Sequence, residues 1–165
     1  MTRPPETDRA ASRGPRLRRL LTIAAGAVLL VLVLLQFVPY GHDHGAPATT
    51  KRAVLEPAAA RVAAGACMDC HSNATRWPWY TNVAPASFLV VNDVKGGREH
   101  LNLSRWDHPQ PSLDEVIEAI DGGEMPPAQY KLVHGDARLS AADRRTLIAG
   151  FRALYAADPP PVGGD

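Results

Sequence analysis

Residues 20–38 form an apolar run that contains no charged side chain and a single glutamine. A helix of about 20 apolar residues is long enough to cross the hydrocarbon core of a bilayer. The arginines in residues 1–19 predict a cytoplasmic N-terminal tail, with the rest of the chain on the other side of the membrane. A cleaved signal peptide is the alternative, but its apolar core is usually only about 7–15 residues long. The pattern therefore favours an uncleaved membrane anchor.

Residues 39–56 lack apolar periodicity and are rich in glycine, proline, threonine and charged side chains. This composition is typical of a linker. His42-Asp43-His44 could bind a metal, but two histidines two residues apart lack supporting ligands nearby. A solvated polar linker is therefore favoured over a metal site.

Helical patterns fill much of residues 57–156. An alanine-rich stretch, 57–66, has a proline in its first turn, and residues 86–99 continue the helical pattern. Ser112 and Glu115 have the spacing of a capping box before an amphipathic segment, and Ser140 begins a last helix with a clear apolar stripe. No stretch alternates as a strand would, so we predict an all-α domain over 57–156, followed by a disordered tail, 157–165.

The net charge of +1 is unevenly distributed. Its basic excess lies in residues 1–19, whereas the predicted helical domain is close to neutral. A nucleic-acid-binding surface would need clustered lysine and arginine. We therefore expect no nucleic-acid partner for this domain.

The sequence Cys67-Met68-Asp69-Cys70-His71 contains both cysteines of the chain, in the C-x-x-C-H spacing of c-type haem attachment. The two thiols can add to the vinyl groups of a haem, and the adjacent imidazole can bind the iron as proximal ligand. A dithiol oxidoreductase would instead need a βαβ pattern near the motif. The all-α prediction argues against that alternative.

A second iron ligand is predicted at Met125, which lies in a loop before the last helix and is followed by two prolines. Methionine–histidine ligation raises the reduction potential of a haem, which suits electron transfer. The alternatives are that Met125 only fills the core, that His134, His100 or His108 is the ligand, or that the sixth position is open.

Two further side chains are candidates for contact with a haem. Trp79, with the neighbouring Trp77 and Tyr80, could cover the porphyrin or simply fill a small core. Arg98 could pair with a haem propionate, because a guanidinium matches a carboxylate in shape and charge. An ordinary surface position for Arg98 is an equally good interpretation.

Several stretches together carry a resemblance to a known family: CMDCHSN at 67–73, PWY at 78–80, LNLSRW at 101–106 and GEMPP at 123–127. Over about residues 57–156 the chain resembles the bacterial haem-binding domain proteins, which have a cytochrome c-like fold and usually one N-terminal anchor helix. The resemblance implies one haem c, attached covalently through Cys67 and Cys70, with His71 as an axial ligand.

The function expected from these features is electron transfer by a membrane-anchored monohaem cytochrome. The haem domain would lie on the periplasmic side of the cytoplasmic membrane and would exchange electrons with a redox protein. The alternative is a haem-based sensor or ligand-binding module with an open or labile sixth site. A haem enzyme such as a peroxidase is disfavoured because the sequence offers no evident distal acid–base group.

Overall fold

The computed structural model describes residues 13–161. Residues 1–12 of the expected basic tail and residues 162–165 of the expected disordered tail lie outside this range. The described residues contain seven α-helices and two short 3₁₀ helices but no strand, apart from one isolated bridge between Lys51 and Arg105. The prediction of an all-α fold is confirmed.

The α-helices, numbered in chain order, are α1 (Arg13–Leu35), α2 (Pro57–Ala66), α3 (Met68–His71), α4 (Ala86–His100), α5 (Leu113–Asp121), α6 (Ala128–Val133) and α7 (Ala141–Ala157). The 3₁₀ helices are Trp79–Asn82 and Gly135–Ala137. The predicted helices at 57–66 and 86–99 are present, and so are those begun by Ser112 and Ser140. The elements that the pattern did not predict, α3, α6 and the 3₁₀ helices, are too short to show a helical period.

Both predicted helix starts are capped by reciprocal hydrogen bonds. The hydroxyl of Ser112 accepts from the backbone N–H of Glu115, whose carboxylate accepts from the backbone N–H of Ser112 at 2.7 Å. Ser140 and Asp143 form the same arrangement at the start of α7. These bonds to the charged form hold the pKa values of Glu115 and Asp143 below their usual range.

The core is organised by a close crossing of α2 and α7. Gly150 of α7 lies against Ala59 of α2, where any Cβ on Gly150 would overlap the Ala59 methyl group. Ala63 of α2 and Phe151 of α7 are also buried at this crossing. Small side chains let the two helices approach closely, and this contact fixes the end of α2 at which the C-x-x-C-H motif begins.

Residues 101–106 form a buried irregular segment beside the core. The indole N–H of Trp106 donates to the carbonyl of Asp158 at 2.8 Å. Farther on, the backbone N–H of Gln110 donates to the carbonyl of Pro161 at 2.8 Å. Residues 158–161, expected to belong to a disordered tail, therefore pack on the domain through their backbone carbonyls.

Residues 39–56 have no helix or strand, as their composition predicted, but they lie along the domain. The backbone N–H of Ala53 donates to the carbonyl of Leu103, and the side-chain amide of Asn73 donates to the carbonyl of Pro47. His44 stacks on Trp77 with ring centroids 4.0 Å apart. Within residues 13–161 no three metal-ligating side chains cluster, around His42 or elsewhere.

The first helix, α1, is long and apolar enough over Gly14–Leu35 to cross a membrane, with a mean hydropathy of 2.2. A signal sequence near the N-terminus can meet the same criteria of length and composition. The side chains of α1 are exposed along almost the whole helix, so this helix adds almost nothing to the core of the domain. That exposure is what a lipid-facing helix requires.

Candidate haem site

A cavity of about 370 Å³ lies between the C-x-x-C-H motif, the second half of α4, α5 and the loop after α5. Its volume is within the range of roughly 300–1,000 Å³ that is usual for small-molecule and cofactor sites. Four of the predicted site residues line this cavity: Cys67, Cys70, His71 and Met125. Met125 is far from the motif in sequence, so the sequence alone does not show that they meet. The side chains that matter for the chemistry are Cys67, Cys70, His71, His100, Met125 and Tyr130.

The imidazole of His71 is oriented by two backbone carbonyls. Its Nδ1 lies 2.9 Å from the carbonyl oxygen of Gly97 and 3.0 Å from that of Leu101. A proton on Nδ1 can be donated to both, which leaves Nε2 as the acceptor atom. Burial holds the pKa of His71 below its usual value, although the same two hydrogen bonds oppose the shift. The buried neutral ring is thereby prepared to ligate a metal through Nε2.

Gly97 allows α4 to pass directly against the motif. A Cβ at this position would lie 2.8 Å from the carbonyl oxygen of Cys70 and 2.9 Å from its Cβ. The neighbouring Gly96 has nothing within 4 Å of the same ideal position. The close approach at Gly97 is what brings its carbonyl within reach of His71.

Both cysteines are free thiols that line the cavity. Burial, with a smaller effect of the neighbouring Cys70, raises the pKa of Cys67 to about 12. Burial, together with the charges of Asp93 and Asp69, raises the pKa of Cys70 to about 11. In the folded chain both sulfurs are therefore protonated at neutral pH and behave as apolar wall atoms.

The aspartate inside the motif is the centre of a network that the sequence did not suggest. Asp69 is buried and accepts hydrogen bonds from the guanidinium and backbone N–H of Arg76 and from the hydroxyl of Tyr130. Burial alone would raise the pKa of Asp69, but these bonds outweigh it and hold the pKa below its usual range. Tyr130, whose own pKa is raised by burial and by Asp69, also forms part of the cavity wall.

Met125 lies in the wall formed by the loop after α5. Its backbone N–H donates to the carbonyl of Ala119 at 3.0 Å, which turns the loop back on α5. The side chain is 38% exposed, so one part faces the cavity and another faces solvent. The structure therefore brings Met125 to the same cavity as His71.

The alternative histidine ligands differ in position. His100 lines the cavity from the end of α4. His134 lies outside it, stacked on Tyr130 at 3.9 Å between ring centroids and hydrogen-bonded through Nε2 to the hydroxyl of Tyr80. His108 is also outside and accepts from the guanidinium of Arg105 at 2.8 Å. Of these three histidines, only His100 remains beside Met125 as a candidate.

Two predicted contacts are not brought to the cavity. Trp79 is 78% exposed on the first 3₁₀ helix, because the turn directs its ring to solvent. Arg98 instead donates to the carbonyls of Ser72 and Gly45 and to the hydroxyl of Thr75. Its guanidinium thus fastens the linker and the segment after the motif to α4, and it is not free to meet a propionate in the cavity.

The comparison with family models decides what kind of domain this is. The model of the haem-binding domain matches residues 30–153, which is most of the chain. The chain belongs to the haem-binding domain family. Comparison with curated proteins and with solved structures gave no match. Haem is therefore the ligand to be tested against the cavity.

The residues of the cavity fit a haem. A buried imidazole offers Nε2, two thiols lie in the same wall, and Val116, Ile120 and Phe151 supply apolar surface for a porphyrin. Met125 and His100 provide a soft sulfur and a second imidazole, both of which are known kinds of axial ligand. This haem-binding domain thus has a site with the required donors and the required apolar walls.

Proposed function

We propose that the protein is a membrane-anchored monohaem cytochrome of the c type, which transfers electrons on the outer side of the cytoplasmic membrane. The observation that carries the proposal is the meeting of both thiols and the oriented imidazole of His71 in one apolar cavity of a haem-binding domain. The proposal includes no enzymatic activity.

Each part of the motif has a role in this proposal. Cys67 and Cys70 would hold the haem through two thioether links, with each thiol S–H added across one vinyl C=C bond, and Nε2 of His71 would ligate the iron. A haem held in this way supplies one-electron chemistry at its iron. The apolar walls exclude water and lower the local dielectric around it. Met125, which lines the same cavity, would supply a second iron ligand.

The anchor rests on α1. Its length and hydropathy suit a bilayer span, and arginines precede the apolar run. By the positive-inside rule, this arrangement supports a periplasmic position for the haem domain. The partner would be another redox protein at or near the same membrane.

The attachment test compares the chain with Cys67→Ser, Cys70→Ser and the double variant. We expect the unsubstituted protein to keep its haem through denaturing electrophoresis and to give a pyridine haemochrome spectrum of the c type. The double variant should lose the haem on denaturation. If haem leaves the unsubstituted chain as easily as it leaves the double variant, covalent attachment is wrong even though haem binding stands.

A ligand-binding module is the second candidate, and the partial exposure of Met125 favours it. A weakly held sixth ligand would let carbon monoxide reach the reduced iron rapidly. Electron transfer predicts slow or no carbon monoxide binding at neutral pH and a reversible one-electron wave. Rapid binding by the native protein would favour the sensor function.

A further inference from the structure

The end of α1 is attached to the haem domain by a paired hydrogen bond. The side-chain amide of Gln36, just after the helix, donates to the carbonyl of Ala84 at 3.0 Å and accepts from the backbone N–H of Ala84 at 3.1 Å. Both backbone groups of Ala84 are thus bound by one side chain. The residue that leaves the helix is fixed to the start of α4.

The next residues continue this attachment. The ring of Tyr40 lies 5.8 Å from that of Phe88, centroid to centroid. Gly41 is buried with a φ of 89°, and a Cβ there would lie 2.9 Å from side-chain atoms of both Ser87 and Phe88. Residues 36–41 are therefore packed on 84–88 and do not act as a free tether.

Exposed apolar side chains occur on this segment and on the elements next to it. We call them the anchor-side face: Phe37, Trp79, Val83, Leu89 and Val133. Val83 precedes Ala84 directly, and Trp79 lies on the 3₁₀ helix that packs against α4. Leu89 and Val133 border one small apolar cavity of about 180 Å³, which joins α6 to the same face. An exposed apolar patch of this kind indicates a surface that is covered in the working protein.

We propose that the anchor-side face lies in the lipid headgroup region of the membrane that α1 crosses, so that the haem domain rests on the bilayer. This inference depends on the proposed anchoring by α1. The uncharged part of α1, residues 20–35, spans about 24 Å as a helix, which is most of the roughly 30 Å of a hydrocarbon core, and the long side chains of the arginines before it can reach the headgroups. Gln36 then lies at the boundary of that core, and its hydrogen bonds hold Ala84 at the same depth.

The chemistry of the face suits that depth. Tryptophan and tyrosine are enriched where the hydrocarbon core meets the headgroups, and Tyr40 follows the end of α1 closely while Trp79 is exposed on the 3₁₀ helix shortly before Ala84. Val83, Leu89 and Val133 offer apolar surface to the outermost acyl segments. The small cavity behind the face shares Cys70, Asp69 and Tyr130 with the haem cavity. The haem site is therefore held close above the membrane.

The test is made on the full haem-loaded chain in phosphatidylcholine nanodiscs. A nitroxide label is placed at Val83→Cys, and the unsubstituted chain, treated with the same reagent, gives the background. Val28→Cys in α1 is the lipid reference, and Arg152→Cys, exposed on α7, is the water reference. We expect the ratio of oxygen to nickel-chelate accessibility at Val83 to exceed that at Arg152 severalfold. Leu89→Cys repeats the measurement if Val83→Cys folds poorly.

The two references separate this inference from the proposed anchor. If Val28 reports lipid while Val83 and Leu89 report water, the face is not covered by the membrane and the anchor stands. A protein partner on this face would also give that result. If Val28 reports water, the anchor and the membrane contact of the face are both wrong.

Discussion

The two walls of the haem cavity that carry the predicted iron ligands are built differently. On one wall, His71 is fixed by two carbonyls, Gly97 lies against the backbone of Cys70, and Asp69 is bound by Arg76 and Tyr130. On the other, Met125 is 38% exposed and its loop is held mainly by backbone bonds from Gly122, Gly123 and Met125 to carbonyls of α5. The first wall is rigid before any ligand arrives, whereas the second can adjust. Changes to the first wall should therefore affect haem retention, and changes to the second should affect ligation and potential.

The largest effect is expected from His71→Ala. Loss of the oriented imidazole should lower the haem content of the purified protein by more than about tenfold, since even removal of a partner of a metal ligand costs about 10–100-fold in affinity. Haem content is measured by absorbance against protein concentration. The control is His134→Ala, because His134 lies outside the cavity. Equal loss in both variants would contradict the role of His71.

The second-largest effect is expected from Gly97→Val. The added side chain meets the backbone of Cys70, so α4 must move away from the motif at a cost of about 1–3 kcal/mol in stability. We expect a lower melting temperature together with poorer haem incorporation. Gly96→Ala is the control for the melting temperature only, since its methyl group meets no protein atom within 4 Å and favours the helix by about 0.5–1 kcal/mol, whereas Gly96 also lines the haem cavity. A melting temperature that is the same in Gly97→Val and the unsubstituted chain would mean that α4 does not need this approach.

Met125→Ala tests the adjustable wall. Because the side chain is 38% exposed, its removal should cost only about 1 kcal/mol or less in stability, with the haem content unchanged. The ferric protein should lose the weak long-wavelength band of a methionine–iron bond, and its reduction potential should fall. If the band is absent from the unsubstituted protein, His100→Ala becomes the informative variant, because His100 lines the same cavity.

The smallest effect is expected from Arg76→Gln. It removes the cation that compensates the carboxylate of Asp69 and leaves a negative charge beside the haem cavity. Negative charge stabilises the oxidised iron, so the potential should fall by tens of millivolts, where about 59 mV is a tenfold change in a one-electron equilibrium. Arg152→Gln on α7 controls for net charge. A potential that falls equally in both variants would show that the shift comes from the loss of net charge and not from the unpaired carboxylate of Asp69.

The sequence predicted the elements and donors whose pattern is local. Capping boxes at Ser112 and Ser140 and the apolar stripe of α7 each lie within a few turns of chain, and the C-x-x-C-H spacing is itself a chemical signature. The long helical periods and the motif therefore led to an all-α haem-binding domain without any knowledge of packing.

What the sequence did not predict depends on contacts between distant segments. The carbonyls that orient His71 come from Gly97 and Leu101. Every residue has a backbone carbonyl, so a sequence pattern cannot indicate which ones will bind a given side chain. Arg98 was considered for a propionate because of its charge, but three distant protein oxygens engage it instead. The packing of residues 39–56 on the domain was missed for the same reason, since many of those bonds use backbone groups.

The crossing of α2 and α7 at Gly150 also bears on the order of events during biosynthesis. Helix α2 ends at the motif, yet the surface that buries Ala59 and Ala63 belongs to the last helix of the domain. Until α7 has been synthesised, the surface that covers Ala59 and Ala63 is missing, so α2 and the motif after it cannot pack as they do in the folded domain. If haem is attached covalently as proposed, both thiols would be most accessible before α7 packs on α2, so that closure of the domain by its last helix would limit the time available for attachment.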